Sequence, residues 1–143
     1  MSAPLYTATA TSTGEGRAGG RAVTDDGLLD LDLAIPTSMG GPGGATNPEQ
    51  LFAAGWSSCF HSGLKMVAAQ NKTPLTDSTV TARVSLTKTA AGGLALSAEL
   101  HVRIGGGLDQ AAAEDLVAAA HSVCPYSLAT SGNVPVTLTT TVA

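Results

Sequence analysis

The sequence predicts an α+β fold in which largely antiparallel sheets pack on helices. Three observations carry this prediction. Apolar and polar residues alternate over 79–89 and 94–104, as they do in half-buried strands. A long, mostly apolar segment that begins at Pro48 has the start signals of a helix. A second helical segment, 109–124, precedes a closing strand at 134–143. The length of 143 residues predicts a single domain, 1–143.

The N-terminal part predicts strands on either side of a glycine-rich connection. Residues 5–13 and 21–24 are typical of strands, and GEGRAGG at 14–20 separates them, which predicts a hairpin with a wide loop. Over 28–36, leucine and isoleucine alternate with aspartate, which predicts a strand with one wet face. A long loop rich in glycine and proline follows at 37–50.

The segment from Pro48 to about Lys72 predicts the first helix. Asn47 suits the N-cap, proline suits the first helical position, and Glu49 places negative charge in the first turn. The helix is apolar almost all round, so we expect it to be buried on most faces. One stripe at spacings of three and four consists of Phe52, Gly55, Cys59, Gly63 and Met66. Since glycine costs a helix about 1 kcal/mol relative to alanine, the two glycines indicate that another segment approaches closely.

The C-terminal half predicts a hairpin, a helix and a strand. AGG at 91–93 turns the chain between the two alternating segments, and GGG at 105–107 ends the second of them. Asp109 is expected near the N-cap of the following helix. Pro125 ends that helix, because proline disfavours a helical backbone at the preceding Cys124.

Composition limits the classes of partner. Charged residues make up 13% of the chain, against about 25% in an average domain. The net charge is −4 and there is no basic block, so nucleic acid and anionic membrane surfaces are not expected partners. A mean hydropathy of +0.20 together with so few charges indicates an extensive interface with a second subunit.

Localisation is expected to be cytoplasmic. The N-terminal segment MSAPLYTATA lacks the charged and apolar regions of a signal peptide. No apolar run reaches about 18 residues, so a membrane span is not predicted. In a reducing compartment a permanent structural disulfide is not expected between the two cysteines, Cys59 and Cys124.

Cys59 has two interpretations. An unpaired cysteine in an apolar helix is commonly a small buried hydrophobe. It lies about eleven residues into the helix, beyond the reach of the helix dipole, so a reactive thiolate requires a nearby cation. Lys65 and His61 on the same helix face other directions, and the cation therefore has to come from another segment.

Cys124 at the end of the second helix is either a cysteine without a role or a partner of Cys59. The negative end of the helix dipole favours its neutral thiol. If the two cysteines act together, Cys59 is the attacking thiolate and Cys124 the thiol that closes a disulfide. His121, one turn earlier, is a candidate base for that thiol, or a capping or surface histidine.

Glu49 is either an ordinary acid of a first helical turn or the group that orients an arginine towards Cys59. The two residues lie about 15 Å apart along the helix axis, which excludes direct contact. The arginine therefore has to reach from a loop. Arg17 in GEGRAGG is the candidate, and the alternative is a solvated loop arginine.

Other kinds of site are not supported by the sequence. Three histidines and two cysteines show no HxxxH or CxxC spacing, so no metal site is predicted. GGPGG at 40–44 lacks the GK[ST] of a phosphate-binding loop, and there is no GxSxG elbow. A Cys–His hydrolase is not supported either, because no segment of the sequence indicates an oxyanion hole. No cofactor is expected.

Two segments carry a resemblance that covers the whole chain. TNPEQLFAAGWSSCF (46–60) and VCPYSLATSGN (123–133) resemble the two signature segments of the organic hydroperoxide resistance proteins, a branch of the Ohr/OsmC superfamily. LYTATATSTG at the start and the GGPGG loop extend it. The resemblance implies an OsmC-like fold that forms an intertwined homodimer, with the long cysteine-bearing helices in the middle.

The resemblance also implies roles for individual residues. It makes Cys59 the peroxidatic residue, Cys124 the resolving residue and Glu49 the acid of the NPEQ motif. The catalytic arginine maps best onto Arg17; the loop carries one extra residue, and Arg21 is the alternative. Many relatives have arginine at the position of Ser131, which we interpret as a surface or interface change.

The implied activity is that of a cysteine-based peroxidase. Its thiolate reduces alkyl or fatty-acid hydroperoxides to alcohols, becomes a sulfenic acid and forms a disulfide with the resolving cysteine. A lipoyl-bearing protein or a small dithiol then reduces the disulfide. Apolar residues expected to accept the alkyl tail are Ile35, Pro36, Met39 and Phe52. The rival hypotheses are a non-catalytic redox sensor that binds an apolar ligand, and a structural dimer with inert cysteines.

Overall fold

A computed structural model describes residues 2–143. The chain divides into two compact units, of which the first ends at Leu51 and the second spans Phe52–Ala143. The prediction that residues 1–143 form a single domain stays a prediction. No helix among the described residues is long and apolar enough to cross a membrane.

The first unit contains a small antiparallel sheet. Its strands are β1 (Ala10–Thr13), β2 (Arg21–Thr24) and β3 (Asp30–Asp32), in the order β1-β2-β3. The connection between β1 and β2 contains a short 3-10 helix at Gly16–Ala18, and a second one lies at Thr37–Met39. The predicted hairpin with its wide glycine-rich loop is confirmed.

Two strands of this unit are shorter than predicted. Residues 5–9 have strand-like composition, but strand pairing within the chain begins only at Ala10, and Leu5 and Tyr6 are exposed. Residues 28–36 form a ladder only over β3. Beyond it, the N–H of Leu33 donates to Gly20 and that of Ala34 to Thr46, so the chain pairs with loop segments instead.

Helix α1 spans Pro48–Gln70, two residues less than predicted. Asn47 accepts a hydrogen bond from the N–H of Gln50 at 2.9 Å, as an N-cap residue does. The expectation that most faces of α1 are buried is wrong for the single chain. One stripe is buried, namely Trp56, Phe60, Gly63, Leu64, Val67 and Ala68. The opposite face is exposed and consists mainly of small and polar residues, namely Ala54, Ser58, Ser62, Lys65, Met66 and Ala69.

The second unit contains a three-stranded sheet whose residues share one core with the helices. Its strands are β4 (Thr76–Lys88), β5 (Leu94–Gly105) and β6 (Val136–Val142), in the order β4-β5-β6. The β4–β5 hairpin is antiparallel as predicted, whereas β6 runs parallel to β5. Alternate residues of β5 enter the core beside the buried stripe of α1, namely Ala98, Leu100, Val102 and Ile104.

Two helices connect β5 to β6. Helix α2 spans Gln110–Val123, and Asp109 caps it by accepting from the N–H of Ala112 at 2.8 Å. Cys124 follows in an extended conformation, as Pro125 predicts. The sequence did not predict helix α3, which spans Pro125–Thr130. The physical signal was present, because proline is favoured at the first position of a helix.

Candidate active site

Arg17 and Glu49 form a bidentate ion pair within the first unit. Arg17 lies in the 3-10 helix after β1, and Glu49 lies in the first turn of α1. The Nη1 atom donates to Oε2 at 2.6 Å and Nη2 donates to Oε1 at 2.8 Å. The two side chains are 31% and 17% exposed, so water screens the pair only in part. The predicted pairing of this acid with this arginine is therefore present.

The pair changes the ionisation of both groups. The hydrogen bonds from Arg17 lower the pKa of the Glu49 carboxyl, and the bonds to Glu49 raise the pKa of the guanidinium. Because the folded pKa of Glu49 is depressed, the pair is fully charged at neutral pH and is lost only as the pH falls through that lowered pKa. Its two hydrogen bonds use two of the five guanidinium N–H groups.

The alternative arginine, Arg21, has a different partner. It makes two hydrogen bonds of 2.6 Å to Asp30 across the small sheet, and both side chains are about half exposed. These contacts engage its Nε and Nη2 atoms. The two arginines of the glycine-rich region are thus distinguished by geometry, since Arg17 is the one that Glu49 holds.

The second unit brings the two cysteines together as free thiols. Cys59 is half-buried on α1, and Cys124 is fully buried at the junction of α2 and α3. Cys124 packs against α1 near Gly63, and both its side chain and the backbone N–H of Tyr126 lie close enough to influence the Cys59 thiol. The segment 124–126, which is distant from Cys59 in the sequence, thus supplies both of these neighbours.

The surroundings of Cys59 oppose its ionisation. Burial raises the pKa of the thiol, and the adjacent Cys124 raises it further, while the N–H of Tyr126 acts in the opposite direction. The net effect is a pKa above the usual value. None of these three influences comes from a positive charge. The requirement for a cation, derived from the sequence, therefore still holds in the folded unit.

Comparisons with known proteins identify the family to which this chain belongs. A family model described as OsmC-like protein matches residues 41–139. An organic hydroperoxide resistance protein of Xanthomonas axonopodis pv. citri is 49% identical over 94% of each chain. The chain belongs to the OsmC-like family, in its organic hydroperoxide resistance branch.

Other relatives in this branch agree along nearly the whole length. The organic hydroperoxide resistance protein OhrA of Bacillus subtilis is 47% identical over 96% of this chain and 97% of its own. The crystal structure of an organic hydroperoxide resistance protein from Legionella pneumophila superposes with a TM-score of 0.91. It is 50% identical and covers 97% of this chain and 99% of that one. The predicted OsmC-like α+β fold is confirmed.

Within this OsmC-like chain the close approach predicted at the two glycines of α1 is present at Gly55, whereas Gly63 leaves ordinary van der Waals room for a Cβ. A Cβ at Gly55 would lie 2.9 Å from the hydroxyl oxygen of Tyr126, and one at Gly63 would lie 3.6 Å from the carbonyl oxygen of Ala120. The Tyr126 ring also meets Phe52 edge to face, with 6.1 Å between the ring centroids. Close approach at Gly55 lets the segment that follows Cys124 pack directly on α1.

Three residues near the thiols were not identified from the sequence. Besides Tyr126, these are Trp56 and Ser127, whose side chains form a buried hydrogen bond of 3.1 Å from indole Nε1 to Oγ. The sequence offered a weak signal, because Trp56 stands three residues before one cysteine and Ser127 three residues after the other. Such spacing places each of them about one helical turn from a thiol.

The residues predicted to accept an alkyl tail lie in both units. Ile35 and Pro36 are half-buried and Met39 is exposed in the first unit, while Phe52 packs against Trp56 in the second. The pocket itself stays a prediction.

The remaining candidates lie in separate places. His61 contacts Ser78 at 2.9 Å, and Ser131 is exposed at the end of α3. The Nδ1 atom of His121 is buried without a hydrogen-bond partner, and the ring lies 6.2 Å from that of Phe60. Residues 2–143 contain no cluster of three or more His, Cys, Asp or Glu side chains arranged to hold a metal ion.

Proposed function

We propose that this protein is a thiol-dependent peroxidase that reduces organic hydroperoxides to alcohols and thereby protects against organic peroxide stress. The observation that carries the proposal is the pair of adjacent free thiols. Cys59 is partly accessible to a substrate, and Cys124 is buried behind it. An accessible thiol suits the attacking role and a buried neighbour suits the resolving role. The names of the relatives support the class of substrate.

The reaction proceeds in two steps. The Cys59 thiolate attacks the distal peroxide oxygen, the O–O bond breaks, and the leaving alkoxide takes a proton to become an alcohol. The Cys124 sulfur then attacks the sulfenic acid, and the S–O bond breaks with release of water. Cys59 and Cys124 together lose two electrons to the peroxide and end as a disulfide. A dithiol returns both cysteines to the thiol form.

Arg17 supplies the cation that Cys59 requires in this mechanism. The carboxylate of Glu49 fixes the guanidinium plane, which limits the entropy lost when the remaining N–H groups bind a further anion. A positive charge beside a thiolate lowers the pKa of the thiol, which opposes the effects of burial and of Cys124. The resemblance to the family's arginine and acid supports this assignment.

We predict that Arg17→Ala slows the first oxidation of Cys59 by about tenfold to a hundredfold, because loss of a nearby charge shifts a thiol pKa by about one to two units. The measurement is the stopped-flow rate of the intrinsic fluorescence change, or of peroxide loss, in a single turnover. Arg21→Ala is the matched control, since it removes the same side chain from an exposed ion pair. A larger loss of rate in Arg21→Ala than in Arg17→Ala would contradict the assignment.

The proposed partners follow from the same function. The substrate is an alkyl or fatty-acid hydroperoxide, with its tail against Ile35, Pro36, Met39 and Phe52. The reductant is a lipoyl-bearing protein or a small dithiol. The chain acts as an intertwined homodimer, which the exposed apolar side chains of the single chain support, among them Leu5, Tyr6, Leu28 and Leu94.

The experiment that tests this function is the intact mass of the reduced protein after one equivalent of cumene hydroperoxide. We expect a loss of about 2 Da, the two thiol hydrogens that leave when the disulfide forms. Peptide mapping should place the bond between Cys59 and Cys124. An unchanged mass after several minutes would contradict the proposal.

Turnover separates this enzyme from the rival hypothesis of a redox sensor. In a sensor that binds an apolar ligand, the cysteines are oxidised once and are not recycled by a simple dithiol. A peroxidase consumes many equivalents of peroxide when a dithiol such as dihydrolipoamide is present. Stoichiometric oxidation without cycling would favour the sensor.

A further inference from the structure

The segment that carries Cys124 is held at its backbone on both sides. The N–H of Cys124 donates to the Ala120 carbonyl of α2 at 3.0 Å, and its own carbonyl accepts from the N–H of Leu128 in α3 at 2.9 Å. The corner formed by residues 124–127 therefore moves as one piece with the first turn of α3. Any contact that fixes this corner on α1 also fixes the distance between the thiols.

The hydrogen bond between Trp56 and Ser127 is such a contact. Both residues are buried, with exposed fractions of 0% and 2%. The indole N–H can only donate and has the Ser127 Oγ as its acceptor. Water does not reach the pair, so breaking the bond leaves a buried donor unsatisfied. The bond is for this reason a strong positional constraint between α1 and α3.

The Trp56–Ser127 hydrogen bond joins the two segments that carry the thiols. Trp56 lies three residues before Cys59 on α1, and Ser127 lies three residues after Cys124. Between them the Tyr126 ring rests in the notch at Gly55, and the Tyr126 N–H lies near the Cys59 thiol. A shift of the corner along α1 would separate the thiols and withdraw that N–H together.

We propose that the Trp56–Ser127 hydrogen bond is a positioning clamp, which holds the Cys124 thiol in line for disulfide formation and keeps the Tyr126 backbone close to the Cys59 thiol. The first part rests on the proposed peroxidase function, and the second part does not. Trp56 and Ser127 act through Cys59 and Cys124, so they are positioning residues.

The disulfide step depends on geometry more than the first oxidation does. The Cys124 sulfur has to approach Cys59 opposite the S–O bond, which breaks as the new S–S bond forms and hydroxide leaves to become water with the thiol proton. Misplacement of reacting atoms by about 1 Å can cost on the order of a hundredfold in rate. A loosened corner slows this step and leaves the sulfenic acid exposed to a second peroxide.

The test uses the full-length protein with Ser127→Ala, Trp56→Phe and the double variant. The first readout needs no peroxide: it is the pH dependence of Cys59 alkylation by iodoacetamide in reduced protein, followed by peptide mass. Cys124 and the Tyr126 N–H act on the Cys59 pKa in opposite directions, so this readout is taken in the Cys124→Ser background. There, withdrawal of the Tyr126 N–H removes a group that stabilises the thiolate, and the alkylation curve should move to higher pH. The second readout is disulfide formation after one equivalent of cumene hydroperoxide, which should slow by about tenfold or more.

Controls separate the clamp from general loosening. Ser122→Ala removes an exposed hydroxyl that bonds only within α2, and both readouts should stay at wild-type values. Ser127→Thr keeps the hydroxyl and should restore both. The double variant lacks the unsatisfied indole N–H, so a clamp predicts that it resembles the single variants in both readouts.

Two results would overturn the clamp. One is an unchanged alkylation curve and disulfide rate in Ser127→Ala; the other is a return to wild-type values in the double variant, which would assign the defect to the unsatisfied N–H alone. A shifted alkylation curve in Ser127→Ala, in a protein whose wild type does not consume peroxide, supports the clamp at Cys59 and contradicts the proposed function. The two ideas therefore fail separately.

Discussion

Replacement of Cys59 by serine is expected to reduce peroxide consumption to the rate of protein-free buffer. A serine hydroxyl has the size of the thiol but does not ionise near neutral pH and does not form a sulfenic acid, so the first bond to the peroxide oxygen is not made. The measurement is loss of cumene hydroperoxide by a ferrous-xylenol orange assay with dihydrolipoamide as the reductant.

The matched control for this variant is Ser58→Ala on the exposed face of the same helix. It should keep wild-type turnover, which would show that a small change in α1 is tolerated. Cys59→Ser that retains more than a few per cent of the wild-type rate would contradict the peroxidatic role of this residue.

Replacement of Cys124 by serine is expected to separate the two halves of the reaction. The first equivalent of peroxide should react at the wild-type rate or faster, since Cys59 is intact and its pKa is no longer raised by Cys124. Turnover should then stop, and mass spectra should show addition of one oxygen followed by two and three, because no thiol condenses with the sulfenic acid. The measurement is a burst assay followed by intact mass at increasing peroxide ratios.

A second effect in this variant concerns ionisation. Cys124 raises the pKa of Cys59, so its removal should move Cys59 alkylation to lower pH. Ser131→Ala, an exposed change beyond α3, serves as the control and should cycle fully. Sustained cycling of Cys124→Ser with the dithiol would contradict the resolving role.

Local chemistry made much of the fold predictable. Asn47, Pro48 and Asp109 mark helix starts because their side chains or ring satisfy the needs of a first turn, and the structure bears out each start to within one residue. The alternation in β4 and β5 likewise predicts a hairpin with one buried face.

The errors concern properties that depend on distant partners. Residues 5–9 look like a strand, yet a strand forms only where another segment satisfies its N–H and carbonyl groups. The exposed face of α1 looks buried from its apolar composition, although small side chains such as Ala54 and Ala69 occupy much of it. The parallel direction of β6 follows from the path of α2 and α3, which periodicity does not encode.

The candidate site was predictable in its residue types and not in its contacts. The spacing of Glu49 and Cys59 required an arginine from a loop, and the structure shows Arg17 held by that acid. Nothing in the sequence paired Trp56 with Ser127, because 71 residues separate them and only the packing of α3 on α1 joins them.

The parallel pairing of β5 with β6 has a consequence for the order of folding. Leu94 pairs with Lys88 only six residues away, whereas Leu100 pairs with Leu138 across 138 − 100 = 38 residues. Loop closure over such a span costs more chain entropy and slows the search for the contact. Cys124 lies inside that span, so a newly made chain has Cys59 in a local helix before the crossover brings Cys124, its proposed resolving partner, beside it. Under the proposed mechanism, a sulfenic acid formed on Cys59 in that interval has no thiol to condense with and is open to further oxidation.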